Sequence, residues 1–177
     1  MAVQIGAKPD SGFDDPIGML TDCHRRIEQF LNILATVAER VTGRSLTGEE
    51  AAAVQAALQY FRTGSVRHTA DEEESLFPRL RAETDHGSMV KLDALEADHE
   101  TAAALHDVVE RMYAEWMTRG ALGSEREIEL RAATERLKGL YQAHIAVEES
   151  VVFPEAAKVL DRATIASIGQ EFRARRA

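Results

Sequence analysis

Histidine and glutamate recur in this chain at the separation that lets two side chains share one cation. His68-Thr-Ala-Asp-Glu72-Glu73 runs on to Phe77-Pro78, and His144-Ile-Ala-Val-Glu148-Glu149 runs on to Phe153-Pro154. On a helix, residues four apart stand one above the other on the same face. Each repeat therefore offers an imidazole and a carboxylate to one point in space. A histidine from each of two further helices, His24 and His99, would complete a ligand set for a metal.

The elements that must position these groups can be read from periodicity. Asp15-Pro16 predicts a helix start, with a capping acid before a proline in the first turn. Ile17, Leu20, His24, Ile27, Leu31, Leu34, Ala38 and Val41 then follow at steps of three and four, the stripe of a bundle helix that Thr42-Gly43 ends. Thr47 and Glu50 form a capping-box pair before the stripe Val54, Leu58, Phe61, Ser65, His68, Glu72, Leu76. Asp85-His86-Gly87-Ser88 reads as an exposed turn, and a third helix carries Leu92, Leu95, His99, Ala102, His106, Val109, Tyr113 and Trp116 to Gly120. Ser124 with Glu127 predicts the start of a fourth, with Leu130, Ala133, Leu137, Tyr141, His144, Glu148 and Val151 on its stripe. Asp161 predicts the cap of a short fifth, ending near Arg173.

The expected fold is all-α: an up-down-up-down four-helix bundle with a short C-terminal fifth helix. Residues 1–14 are expected to be a flexible arm, 15–160 the bundle, and 161–177 a short helix with a basic, exposed tail.

At a rise of about 1.5 Å per residue, His24 lies roughly 12 Å above one end of the bundle. The other ligand candidates lie roughly 17 to 22 Å above the same end. Four imidazoles and two carboxylates thus fall in one layer of an otherwise apolar interior. Burying them unpaired would cost several kcal/mol per charge, which a divalent cation removes. The metal candidates are His24, His68, Glu72, His99, His144 and Glu148. Nitrogen and oxygen donors without thiolate suit iron, manganese or zinc. If both glutamates bridge two ions and each ion takes two histidines, a bridging oxo or hydroxo group makes five ligands. One position is then left for a small molecule, unlike a closed structural zinc site.

Composition narrows the classes. The chain has 177 residues, a formal charge of −9 and one cysteine, Cys23. Net acidity argues against nucleic acid or anionic membrane as a partner, and a lone cysteine asks for no oxidising compartment. With no secretory leader or spanning segment evident, a cytoplasmic protein is expected.

The constellation of His24 in Asp22-Cys23-His24-Arg25-Arg26-Ile27-Glu28, the His68/Glu72 and His144/Glu148 pairs before Phe-Pro, and His99 in Ala97-Asp98-His99-Glu100 resembles the hemerythrin-like (HHE cation-binding) family. The resemblance runs from about Asp15 to Leu160. It implies a non-heme di-iron centre with an oxygen-derived bridge, engaging dioxygen, nitric oxide or peroxide for sensing, scavenging or iron handling. Oxygen carriers of the family place a second histidine where this chain has Ala103, and use His-x4-Asp where it has His144-x3-Glu148. The pattern is more similar to bacterial iron-centre repair proteins and iron-sensing hemerythrin domains. A di-iron enzyme (nitric oxide or peroxide reductase, or repair factor) and a structural bundle with a vestigial site stand as alternatives.

Several neighbours have open roles. Glu149 and Glu73 compete with Glu148 and Glu72 as bridges but lie about 100° off the stripe. Glu28 stands one turn beyond His24, as a metal contact or a surface residue. His106, about 10 Å beyond His99, is too far for the same ion. Tyr60 and Tyr141 are hydrogen-bond donors within reach of the layer, and Cys23 reads as a buried thiol.

Overall fold

The computed structural model describes residues 10–40, 42–83 and 86–177, with backbone only for 86–89. Most of the expected N-terminal arm lies outside the described residues, as does Val41. The helices are α1 (Pro16–Arg40), α2 (48–83), α3 (His86–Arg119), α4 (124–159) and α5 (Arg162–Ala174). Helix α1 packs on α2 and α4, and α3 packs on α2 and α4, which closes the up-down-up-down bundle. Helix α3 begins at His86, so His86, Gly87 and Ser88 of the predicted turn already belong to a helix, while Asp85 lies outside the described residues.

The starts follow cap chemistry. Asp15 accepts from the Gly18 amide, 3.0 Å, and Asp161 from the Thr164 amide, 2.8 Å. Thr47 and Glu50 form the reciprocal capping box. Ser124 does not cap α4: Gly123 holds the cap position, and buried Glu127 instead accepts from the Gly43 amide at 2.6 Å, tying the α1–α2 turn to the start of α4. Gly43 and Gly120 have positive φ, 62° and 80°, the conformation that ends a helix most cheaply at glycine.

Helix α2 widens into π turns at Phe61–Ser65 and Glu72–Leu76, and α4 does so at Glu148–Val152. The Phe77 and Phe153 amides reach back five residues, to Glu72 and Glu148. The prolines that follow have no N–H to hold the narrower register. Such bulges gather at functional sites. Here two of the three, those at Glu72 and Glu148, begin at a glutamate of the predicted ligand set. The extra residue also turns the stripe of α4, so that Val152, not the expected Val151, is buried.

The interior divides into two apolar clusters. One holds Ile27, Leu31, Leu34, Val54, Leu58, Tyr113, Trp116 and Leu137; the other holds Leu20, Leu76, Phe77, Leu95, Val152 and Phe153. The polar layer lies between them on every helix: His24 between Leu20 and Ile27, and His99 between Leu95 and Ala102. Helix α5 adds Ile168 and Phe172 to the second cluster. Gly169 is needed there because a Cβ would fall 1.9 Å from the Phe13 carbonyl oxygen. The basic tail is not an exposed end: Arg175 and Arg176 are mostly buried against Asp71, which is itself fully buried. An isolated buried carboxylate is so unfavourable that two guanidinium groups are drawn to it.

Candidate metal centre

The structure brings all six predicted residues into one dry layer. The two i,i+4 pairs place His68 Nε2 at 3.3 Å from Glu72 Oε1 and His144 Nε2 at 3.3 Å from Glu148 Oε2. His24 Nε2 stands 3.1 Å from Glu148 Oε2 and 4.0 Å from Glu72 Oε1, and His99 Nε2 stands 3.3 Å from Glu72 Oε2. Among the described residues, two groups have ligand atoms close enough to hold an ion: His24, His68, Glu72 and Glu148, and His99, His144, Glu72 and Glu148. Both glutamates belong to both groups.

Carboxylates on the far side hold three of the imidazoles. His24 Nδ1 donates to Glu149 at 2.9 Å, His99 Nδ1 to Glu73 at 2.7 Å, and His144 Nδ1 to Asp98 at 3.4 Å. With the proton on Nδ1, each Nε2 presents a lone pair inward. Glu149 and Glu73 are thus orienting residues and not bridges. The phenylalanines of the two repeats back the same rings: Phe153 stacks on His24 at 5.4 Å between centroids and Phe77 on His99 at 6.3 Å. Helix α2 thereby steadies the histidine of α3, and α4 that of α1. Of these supports, Asp98 has no counterpart in the repeat, so the sequence gives no signal of its role.

What remains is a set of inward acceptors facing one another. His24 Nε2 and all four oxygens of Glu72 and Glu148 are buried without a hydrogen bond, and so is Nδ1 of His68, the ring nitrogen not directed at Glu72. Buried polar atoms are rarely left this way. A cation pair between the groups satisfies the inward lone pairs at once, so the donor set fits a metal. Burial, and next the charge of Glu148, push the Glu72 carboxyl well above the usual carboxylate range. Burial opposes ionisation of Glu148 too, but the His144 and His24 imidazoles beside it hold it low. Burial keeps His68 and His99 neutral below the ordinary imidazole value.

One turn along the bundle, Tyr141 hydroxyl joins Ser65 Oγ at 3.3 Å and His106 Nε2 at 3.0 Å. These three line a cavity of about 350 Å³ that reaches His99, with Leu58, Phe61 and Ala103 among its apolar walls. The Arg62–Glu110 pair, 2.7 Å apart, stands at its outer side. His106 therefore serves Tyr141 and makes no part of the ligand layer. Tyr60 donates to the Cys23 carbonyl at 3.3 Å, bracing the turn that carries His24. Cys23 is buried, which raises its thiol. Glu28 lies at the surface, outside both ligand groups.

Burial pushes His106 down to about 4. The unfolded chain then takes up its proton first as pH falls, so this contribution to stability is present above about 6.5 and is lost toward about 4. His106→Gln keeps a donor for Tyr141 without titrating. Urea unfolding at neutral pH and near pH 4.5 should show the variant losing less stability than wild type, by up to roughly 3 kcal/mol.

Fold and site together define a four-helix bundle able to bind a cation between paired His-x3-Glu motifs. The chain matches the hemerythrin HHE cation binding domain over residues 15–156 and belongs to that family. It is also 26% identical over 164 residues to an uncharacterized protein of Haemophilus influenzae, covering 93% of this chain and 91% of that one. Among the described residues, no helix is long and apolar enough to cross a membrane.

Proposed function

We propose that the protein holds two iron ions with an oxygen-derived bridge as its resident cofactor. It would engage a small oxidant there (dioxygen, nitric oxide or peroxide) in the cytoplasm, as sensor, scavenger or iron handler. The observation that carries this is the sharing of Glu72 and Glu148 by two His-rich groups, since one ion would need only one group. His24 and His68 would hold one ion, and His99 and His144 the other. Iron is preferred over manganese or zinc because the donor set leaves ligand positions open to redox chemistry. Bound there, the metal would supply Lewis acidity and single-electron steps.

The chain's own residues do the rest. Glu149, Glu73 and Asp98 fix the imidazole orientation, and Phe77 and Phe153 exclude water from one side. The cavity at His99 gives a small neutral molecule an approach, and Tyr141 offers a hydrogen bond beside it. That approach also favours the second reading, a di-iron enzyme reducing nitric oxide or peroxide.

Purified protein should contain about two iron ions per chain and show an absorbance change when moved from nitrogen to air. Fewer than one ion per chain after anaerobic loading with Fe(II) would overturn the proposal. Multiple turnover with peroxide or nitric oxide and an added reductant would select the enzyme reading over a stoichiometric binder.

A further inference from the structure

The two repeats support their glutamates unequally. Aligned on histidine and Phe-Pro, they differ at five positions, among them Asp71 against Val147, Glu74 against Ser150, and Ser75 against Val151. These are the three positions in the first repeat that the end of α5 grips. Arg175 donates to Asp71 at 2.9 Å, to Glu74 at 3.1 Å and to Ser75 Oγ at 2.7 Å. Arg176 donates to the other oxygen of Asp71 at 2.5 Å and to the Phe172 carbonyl at 2.8 Å. Glu171 accepts from Ser75 Oγ at 2.6 Å and from Arg79, so the same turn is held from its other side. Asp71 and Ser75 are fully buried, and between them lies Glu72 at the head of its π turn. The π turn of Glu148 has valine at the positions equivalent to Asp71 and Ser75, and no carboxylate at the third.

We propose that Arg175 and Arg176 are positioning residues for Glu72: by clamping Asp71, Glu74 and Ser75 they fix the π turn that presents this carboxylate. A π turn lacks the regular i→i−4 ladder, and the proline after it supplies no N–H, so its geometry depends on outside support. Glu72 itself makes no hydrogen bond that would hold it. Two guanidinium groups on a buried carboxylate next to it form a rigid, charge-assisted anchor. The α5 helix is thereby part of the site's construction although it contributes no ligand. The metal consequence rests on the function proposed above; the mechanical one does not.

The test uses the full chain with Arg175→Gln and Arg176→Gln together. In the metal-free protein, hydrogen exchange of amides 72–77 should accelerate at least tenfold while amides 148–153 stay unchanged. Equal change in both turns, or in neither, overturns the clamp whether or not the protein binds metal. In Zn(II) titrations against a chelating dye, the variant should bind 10- to 100-fold more weakly, the range for orienting residues. That loss should vanish in a Glu72→Gln background and persist in a Glu148→Gln background; a merely structural role would lower affinity in both. Should the stranded Asp71 prevent folding, adding Asp71→Val copies the second repeat and removes the buried charge. Full Zn(II) affinity in that triple variant overturns the proposal, and a retained fold with weakened binding supports it.

Discussion

Replacing Glu72 and Glu148 together by leucine is expected to give a metal-free protein more stable than metal-free wild type, by about 2 to 4 kcal/mol. The two carboxylates are completely buried and make no hydrogen bond, with inward imidazole lone pairs around them. In the absence of ions this layer is a local excess of unsatisfied acceptors, held in place by the apolar clusters on both sides. Leucine replaces it with apolar contact of similar volume. The same variant should bind neither ion, because both groups use both glutamates. By contrast, His24→Ala touches only one group and should leave the other able to bind. Urea unfolding in chelator, paired with metal titration, reads both effects. A double leucine variant less stable than wild type in chelator would mean that the carboxylates are satisfied in some way the geometry does not show.

The legibility of this layer had a simple origin. Each ligand sits on a helix stripe that is otherwise apolar, so periodicity both built the bundle and exposed the exceptions to it. The i,i+4 pairs could be read because His68–Glu72 and His144–Glu148 depend only on regular α geometry before the π turn opens. The turn itself could not be read so directly, since its widening reflects tertiary demand on a sequence that still looks α-helical; hence Val151 was expected where Val152 is buried. The doubled glutamates stand out in the sequence, but a second carboxylate about 100° off the stripe looks like solvent-facing charge until the neighbouring helix is in place. Its signal was the repetition itself: Glu73 and Glu149, like Phe77 and Phe153, recur at fixed distance from the ligands. Asp98 had no such echo. The tail arginines read as an exposed end because their partner, Asp71, looks like one more acid in a charged run, and only burial shows it needs neutralising.

Added Zn(II) or Fe(II) should stabilise the fold strongly near neutral pH and much less near pH 5. At a free concentration a thousandfold above the dissociation constant, each ion contributes about 4 kcal/mol. Protons compete for the same lone pairs, and the direction follows from each group. His68 and His99 are held below the ordinary imidazole value by burial. Their share of stability is present above about 6.5 and fades as pH falls toward their folded values, where the unfolded chain has already taken up protons. His144 runs the other way: burial opposes its charge, but Glu148 raises it, so its share is full below about 6.5 and fades as pH rises through its folded value. Burial and the charge of Glu148 raise Glu72, so the metal-free protein favours its protonated form, and that proton must leave when an ion arrives. Binding should therefore expel protons, above all from Glu72. Calorimetric titration in buffers of different ionisation enthalpy measures that release directly. Heats independent of buffer, together with equal metal stabilisation at pH 5 and pH 8, would show that the ions bind elsewhere than between these imidazoles and carboxylates.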